Sequence, residues 1–418
     1  MKKIRVAWIC SFSNAIVRSK LSFRQDFLGR LLGKFNGTFK FKEVDSAIWN
    51  TNAIEEFEKI DDVEVHVICP VRHLASKITE YDENGIHYHF FREQNSNAIR
   101  FVFHQLFTKH TSRYKKNRRV IKGIIQDVKP DVVHVMGAEN PFYSLALLDV
   151  PREIPTILQL QALLCRLVDV TQEPEEKKSF YYKGIIEKEL IQRADFIGTM
   201  SQVFRDYIVE IIKPEVHFVD TTLHMAQKID ISTVPKEFDF VYFSVNINKA
   251  GAEALEAFIL AHKKHPGITL DFVGGYDADF KSQLDERIRQ SGVEGAVTFE
   301  GKLPSHDDVI LQIRKSRYAL LPLKMDFVPN TLHEAMANGL AIVTTMTEGT
   351  PSLNKVRQSV LISEQNDFEA MADNMVRLVE DKDYATKLAQ NAAITEKEHG
   401  TNCEIARQWC ETYKSVKN

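Results

Sequence analysis

Residues 238–275, "FDFVYFSVNINKAGAEALEAFILAHKKHPGITLDFVGG", decide the fold. A short apolar, β-rich run at 238–245 leads into an amphipathic helical segment. A second such run follows at 268–275 and closes on two glycines. Strand, helix, strand at this spacing reads as a parallel pair joined by a crossover helix. The alternation continues C-terminally through "AVTFEG", "YALLPL" and "LAIVTT". In the N-terminal half the strand candidates are "IRVAWIC", "VEVHVICP", "IHYHFF", "DVVHVM", "PTILQL" and "FIGTM". Helical patterns stand between several of these, including "NAIVRSKLSFRQDFLGRLLGKF" and "TNAIEEFEKI". A polar, Pro-containing stretch within 213–237 separates the two series. The expected fold class is therefore α/β, with two tandem Rossmann-like doubly wound domains facing a cleft. Residues 1–225 form the first domain and 236–397 the second, and the final segment, "NCEIARQWCETYKSVKN", is an amphipathic helix with no strand after it.

The bulk numbers fit this reading. A chain of 418 residues exceeds one compact core and suits two domains. With 44% hydrophobic and 27% charged residues the composition is ordinary for a globular protein, and a net charge of -3 provides no global field toward nucleic acid. Five scattered cysteines without Cys-x-x-Cys spacing argue for a reducing compartment and against a disulfide framework or zinc site. The histidines show no His-x-x-x-His or other ligand spacing, and Asp277–Asp279 reads as helix capping, so no metal and no cofactor are expected. The start "MKKIRVAWIC" reads as a buried strand rather than a leader, and no apolar run reaches the length of a membrane span. The chain is expected to be cytoplasmic. Basic residues cluster in 109–122 and along 17–35. They are either solvated faces or a docking surface for the inner face of an anionic membrane; no base-stacking motif supports nucleic acid.

Chemistry concentrates in 326–339, "DFVPNTLHEAMANG". Thr331-x-x-Glu334 reads as a capping box and Gly339 as a C-terminal stop. The same geometry suits an anion: the amides of Asn330, Thr331 and Leu332 would point out of the helix start, and the dipole favours phosphate there. An acid in that turn must then be aimed past the phosphate, at hydroxyls. Asp326 stands eight residues before Glu334. Two acids flanking an anion site suit a diphosphate held between two sugars, as in a nucleotide-sugar.

The segment 321–345 resembles the signature of retaining family 4 (group 1) glycosyltransferases, which have the GT-B fold of two Rossmann domains. Asp326 and Glu334 fall on the family's two acids, and "EAMANG" follows in register. The resemblance implies that Glu334 binds the donor ribose, that Asp326 contacts the donor sugar, and that the amides between them hold the diphosphate. It places Lys249 on the lysine that neutralises the donor phosphates, Gly274 in the glycine strand, and Lys302 beside the nucleotide base. It implies a uridine diphosphate sugar by frequency within the family, and a last helix, 398–418, that packs back on the first domain.

The sequence departs from the family at three places. The arginine five residues before the lysine is Ser244 here, and Arg18 or Lys324 are the candidate replacements. The glycine-rich loop after the first strand is replaced by "SFSNAIVR", which makes Asn14 and Arg18 candidates for the acceptor or a phosphate. The usual histidine after the fourth strand is Met136, flanked by His134 and Glu139. The expected activity is metal-independent transfer of a sugar, with retention, to a glycan or lipid-linked acceptor. The alternatives are a nucleotide-sugar epimerase of the same fold and a donor-binding protein without catalysis.

Overall fold

Fourteen strands account for both halves of the computed structural model, which describes residues 3–35, 45–109, 111–171, 174–199, 201–220, 234–247, 250–324 and 328–417. The chain divides into two compact units, Met1–Met225 with Asn402–Asn418, and Ala226–Thr401.

The first unit holds β1 (Ile4–Ile9), β2 (Val63–Val71), β3 (Ile78–Glu83), β4 (Ile86–Arg92), β5 (Val132–Met136), β6 (Thr156–Gln159), β7 (Phe196–Gly198) and β8 (His217–Val219), in the order β3-β4-β2-β1-β5-β6-β7-β8. The central strands are buried along nearly their whole length because both faces are covered, and only Arg5 in β1 and His134 in β5 interrupt the apolar side chains. Strand order reverses between β1 and β5, the point outside whose carboxyl ends ligands of such sheets bind. Two strands escape the sequence pattern. β3 pairs antiparallel with β4 through the left-handed Asn84-Gly85 turn, and β8 extends the far edge. The helix expected across 14–35 is two helices, Ala15–Lys20 and Phe27–Phe35. Between them Phe23 bridges to Leu74.

The final helix, Asn402–Lys417, completes this unit's core. Trp409 lies edge-on to Trp8 with ring centroids 5.7 Å apart. Trp8 Nε1 donates to the Tyr413 hydroxyl at 2.9 Å, and that hydroxyl lies 2.8 Å from His134 Nδ1. With its proton taken up by this bond, Tyr413 leaves His134 in the Nε2–H tautomer.

The second unit holds β9 (Phe238–Asn246), β10 (Leu270–Gly275), β11 (Val297–Gly301), β12 (Ser316–Leu321), β13 (Ala341–Thr345) and β14 (Leu361–Ser363), ordered β11-β10-β9-β12-β13-β14. Its switch point lies between β9 and β12. Asp271 in β10 is fully buried and accepts from Gln312 Nε2 at 2.8 Å, which ties the helix His306–Ile313 to the sheet. Burial pushes its pKa up to about 7. A carboxyl raised in the fold stabilises most below its unfolded pKa, and that contribution is lost as pH rises toward 7. Asp271→Asn should therefore raise stability at pH 8 by about 1–3 kcal/mol and leave it unchanged at pH 4. Thermal unfolding at the two pH values checks this.

Candidate functional site

Beyond β12 the chain turns through Pro322–Lys324 and enters the helix Asn330–Ala337. Two threonines of β13 fix this turn. Thr344 Oγ1 donates to the Leu321 carbonyl, and Thr345 Oγ1 accepts from Leu323 N, each at 2.7 Å. Gln365 Nε2 donates to the Lys324 carbonyl at 2.9 Å. These three bonds hold the turn at the carboxyl end of β12, beside the switch point.

That helix starts two residues earlier than a capping box at Thr331 requires. Its N-cap is Pro329, in extended backbone, with no side-chain cap. Thr331 and Glu334 both lie inside the helix, which corrects the capping-box reading. The Leu332 amide closes the first turn onto the Pro329 carbonyl at 3.0 Å, so it does not point out of the helix start as expected. Glu334 is 8% exposed. Its Oε1 lies 3.2 Å from His306 Nε2, at the start of the helix that follows β11. His306 escaped the sequence reading because "SHDD" reads only as a cap. It is one: Ser305 and Asp308 form a reciprocal capping box. By capping that helix the box sets His306 against Glu334.

The other expected donor-side residues lie at carboxyl ends of the same sheet. Gly274, next to last in β10, has φ +139°, and a Cβ there would stand 1.9 Å from the Ser244 carbonyl oxygen, so only glycine fits. Lys302 is exposed just past β11. Lys324, a candidate for the missing cation, pairs with Glu253 at 2.6 Å. Lys249 and Asp326 lie outside the described residues.

At the first sheet's switch point, Glu139 follows β5. Gly137 has φ +108°, and a Cβ there would lie 2.5 Å from the Glu139 carboxylate. The turn thus favours glycine for its backbone, and any larger residue would also displace the Glu139 carboxylate. Burial raises the Glu139 pKa above the usual carboxylate range, and the charge of Lys183 opposes this. Asn14 and Arg18 are held locally. Asn14 caps its helix by accepting from Val17 N at 2.8 Å, and Arg18 pairs with Asp45 at 2.7 Å. His134, expected on the acceptor side, is instead fully buried, and burial lowers its pKa to about 3. It is a neutral core histidine under the last helix.

Residues 228–395 match the family model of glycosyl transferases group 1. Over 156 residues the chain is 24% identical to an uncharacterized glycosyltransferase of Haemophilus influenzae, covering 37% of this chain and 42% of that relative's length. The matched segment thus spans less than half of the curated relative. Among solved structures, sucrose-phosphate synthase from Thermosynechococcus elongatus superposes with a TM-score of 0.71 at 14% identity over 99% of both chains. The Escherichia coli trehalose-6-phosphate structure bound with UDP-2-fluoro glucose gives 0.65 at 10% identity, also over 99% of both. A glycosyltransferase from Rickettsia africae gives 0.61 at 16% identity, covering 100% of this chain and 99% of that one. The fold is GT-B, and the chain resembles the group 1 glycosyltransferases.

Proposed function

We propose that this protein is a retaining glycosyltransferase that moves a sugar from a nucleotide diphosphate, with uridine as the base, to a hydroxyl of a glycan or lipid-linked acceptor. The observation that carries this reading is the helix start at Pro329–Thr331. It has no side-chain cap, follows the strand at the switch point of the second sheet, and has the nearly buried Glu334 one turn behind it. An anion at the helix start and hydroxyls at Glu334 match the diphosphate and ribose of one ligand.

In this reading the bond between the sugar's anomeric carbon and the β-phosphate oxygen breaks, and its electrons leave with the phosphate. The first-turn amides, the helix dipole and Lys249 meet the charge that develops there. Asp326 would hold the sugar. The acceptor oxygen bonds to the anomeric carbon on the face the phosphate leaves, and its proton passes to the departing phosphate. No metal is assigned to the step. Acceptor binding is assigned to the carboxyl end of the first sheet, where Glu139 stands. The test is incubation with a panel of nucleotide-sugars, read by thermal shift and by release of nucleoside diphosphate. Stabilisation and slow release by one donor support the proposal. Stabilisation by none overturns it.

We further place the protein at the cytoplasmic face of an anionic membrane. No described helix is long and apolar enough to cross one. Instead, the helix Phe27–Phe35 and the segment Ala98–Thr108 expose Phe27, Ile99, Phe103, Leu106 and Phe107, each more than half accessible. Asp26 joins the two elements by accepting from the amides of both Gly29 and Ala98. Exposed Arg24, Arg30, Arg100 and Lys109 accompany these side chains. Apolar anchors among cations suit acidic lipid. Phe103→Ser with Phe107→Ser should weaken binding to phosphatidylglycerol vesicles about tenfold or more in co-sedimentation.

A further inference from the structure

One group of side chains lies apart from the donor and acceptor machinery, near the amino ends of β2 and β4. The sequence carries His87 and His89 two apart in "IHYHFF", and on a strand that spacing puts both on one face. The parallel register of β2 with β4 sets His66 beside His87, and the antiparallel register of β3 sets Asp82 beside His87 and Glu80 beside His89. The His66 and His87 rings lie nearly parallel with centroids 4.5 Å apart.

Each ring has a partner that fixes its orientation. His87 Nδ1 is 2.6 Å from Asp82 Oδ1, which turns its Nε2 away from β3. His66 Nδ1 is 3.0 Å from His89 Nε2, and His89 Nδ1 is 2.7 Å from Glu80 Oε1. On the opposite side His66 Nε2 lies 3.0 Å from Glu64 Oε1, which also accepts from Arg5 Nε at 2.9 Å. Ligand atoms of Glu64, His66 and His87 all lie within 4.8 Å of one another.

Imidazoles whose far nitrogen is held by a carboxylate, directly or through a second ring, are the arrangement that orients histidines toward a metal. Two such imidazoles and one carboxylate are a donor set for a borderline transition ion rather than for magnesium or calcium.

We infer that Glu64, His66 and His87 form a binding site for one divalent transition-metal ion of the zinc class. The ion takes Nε2 of His66, Nε2 of His87 and a carboxylate oxygen of Glu64, and replaces the proton that His66 and Glu64 now share. Glu64 and His87 keep about a third of their side-chain surface open, which gives the ion a route in, whereas His66 is nearly enclosed. The site joins β2 to the β3–β4 hairpin, the antiparallel edge of the first sheet. Its role is to fasten that edge. It takes no part in sugar transfer, which the fold places at the opposite ends of the strands.

The full chain, stripped with chelator, is titrated with Zn2+ by calorimetry and with Co2+ by visible absorption. The expected result is one ion per chain, visible bands of a low-coordinate nitrogen–oxygen cobalt site, and slower amide exchange over residues 78–92. His87→Asn and Glu64→Gln, both at accessible positions, should each weaken Zn2+ at least a hundredfold without changing the circular dichroism. His399→Asn, in the separate His333, Glu396 and His399 group, should bind as the wild type. Absence of stoichiometric binding overturns the inference. So does wild-type affinity in both His87→Asn and Glu64→Gln, or loss of binding in His399→Asn alone. Failure of nucleotide-sugar binding leaves these readouts untouched, so the two proposals fail separately.

Discussion

Glu334→Ala is expected to lower kcat/KM for the nucleotide-sugar by about a hundred- to a thousandfold, with a melting temperature close to that of the wild type. Hydrogen bonds from ligand hydroxyls to a carboxylate contribute about 1.5–3 kcal/mol each, and a ribose offers two. The loss exceeds that of a surface acid because Glu334 is only 8% exposed, where water competes poorly. The effect should appear in donor binding as well as in rate, since the ribose contact forms before transfer. Nucleoside diphosphate alone should therefore no longer stabilise the variant. His306→Ala should cost less, because that ring sits 3.2 Å from Glu334 and orients it rather than touching the donor in this reading. Unchanged turnover in Glu334→Ala would remove the ribose assignment and with it the reading of the helix start.

Trp409→Ala is expected to destabilise the first unit by about 3–5 kcal/mol, the range for truncating a buried large aromatic. The indole is 1% exposed and packs on Trp8, Phe57 and His134. Tyr413→Phe should cost less, about 1–2 kcal/mol, since it removes the acceptor of Trp8 Nε1 and leaves His134 Nδ1 without its donor. Denaturant unfolding of either variant should separate into two transitions, with the later one at the wild-type midpoint. A single unshifted transition for Trp409→Ala would contradict this packing.

Much of the fold was legible because most parallel strands are rich in buried apolar residues. What escaped was carried by residues that bury little. β3 reads "ITEYDE", alternating and largely polar at an edge, and only the Asn84-Gly85 turn marks it. The break between the first two helices has neither proline nor glycine; it depends on the Phe23–Leu74 bridge, which lies far apart in sequence. At the candidate site the residue types were legible but their places in the helix start were not, because a threonine and a glutamate at capping spacing mimic a box that the backbone does not form. His134 was misassigned because the partner that buries it, Tyr413, lies 279 residues away. His306 and His66 gave no local signal. His306 meets Glu334, and His66 meets His87 and His89, only through helix packing or sheet register, which no short window contains.

The last helix belongs to the first unit although the whole second unit precedes it in the chain. On the ribosome, residues 226–401 can therefore finish folding while Trp8, Phe57 and His134 still await their covering surface. Vectorial synthesis thus reverses the order in which the units mature: the second closes as it emerges, and the first waits for residues 402–417 to follow. During that interval a nascent chain presents an open aromatic seam, a natural substrate for ribosome-associated chaperones.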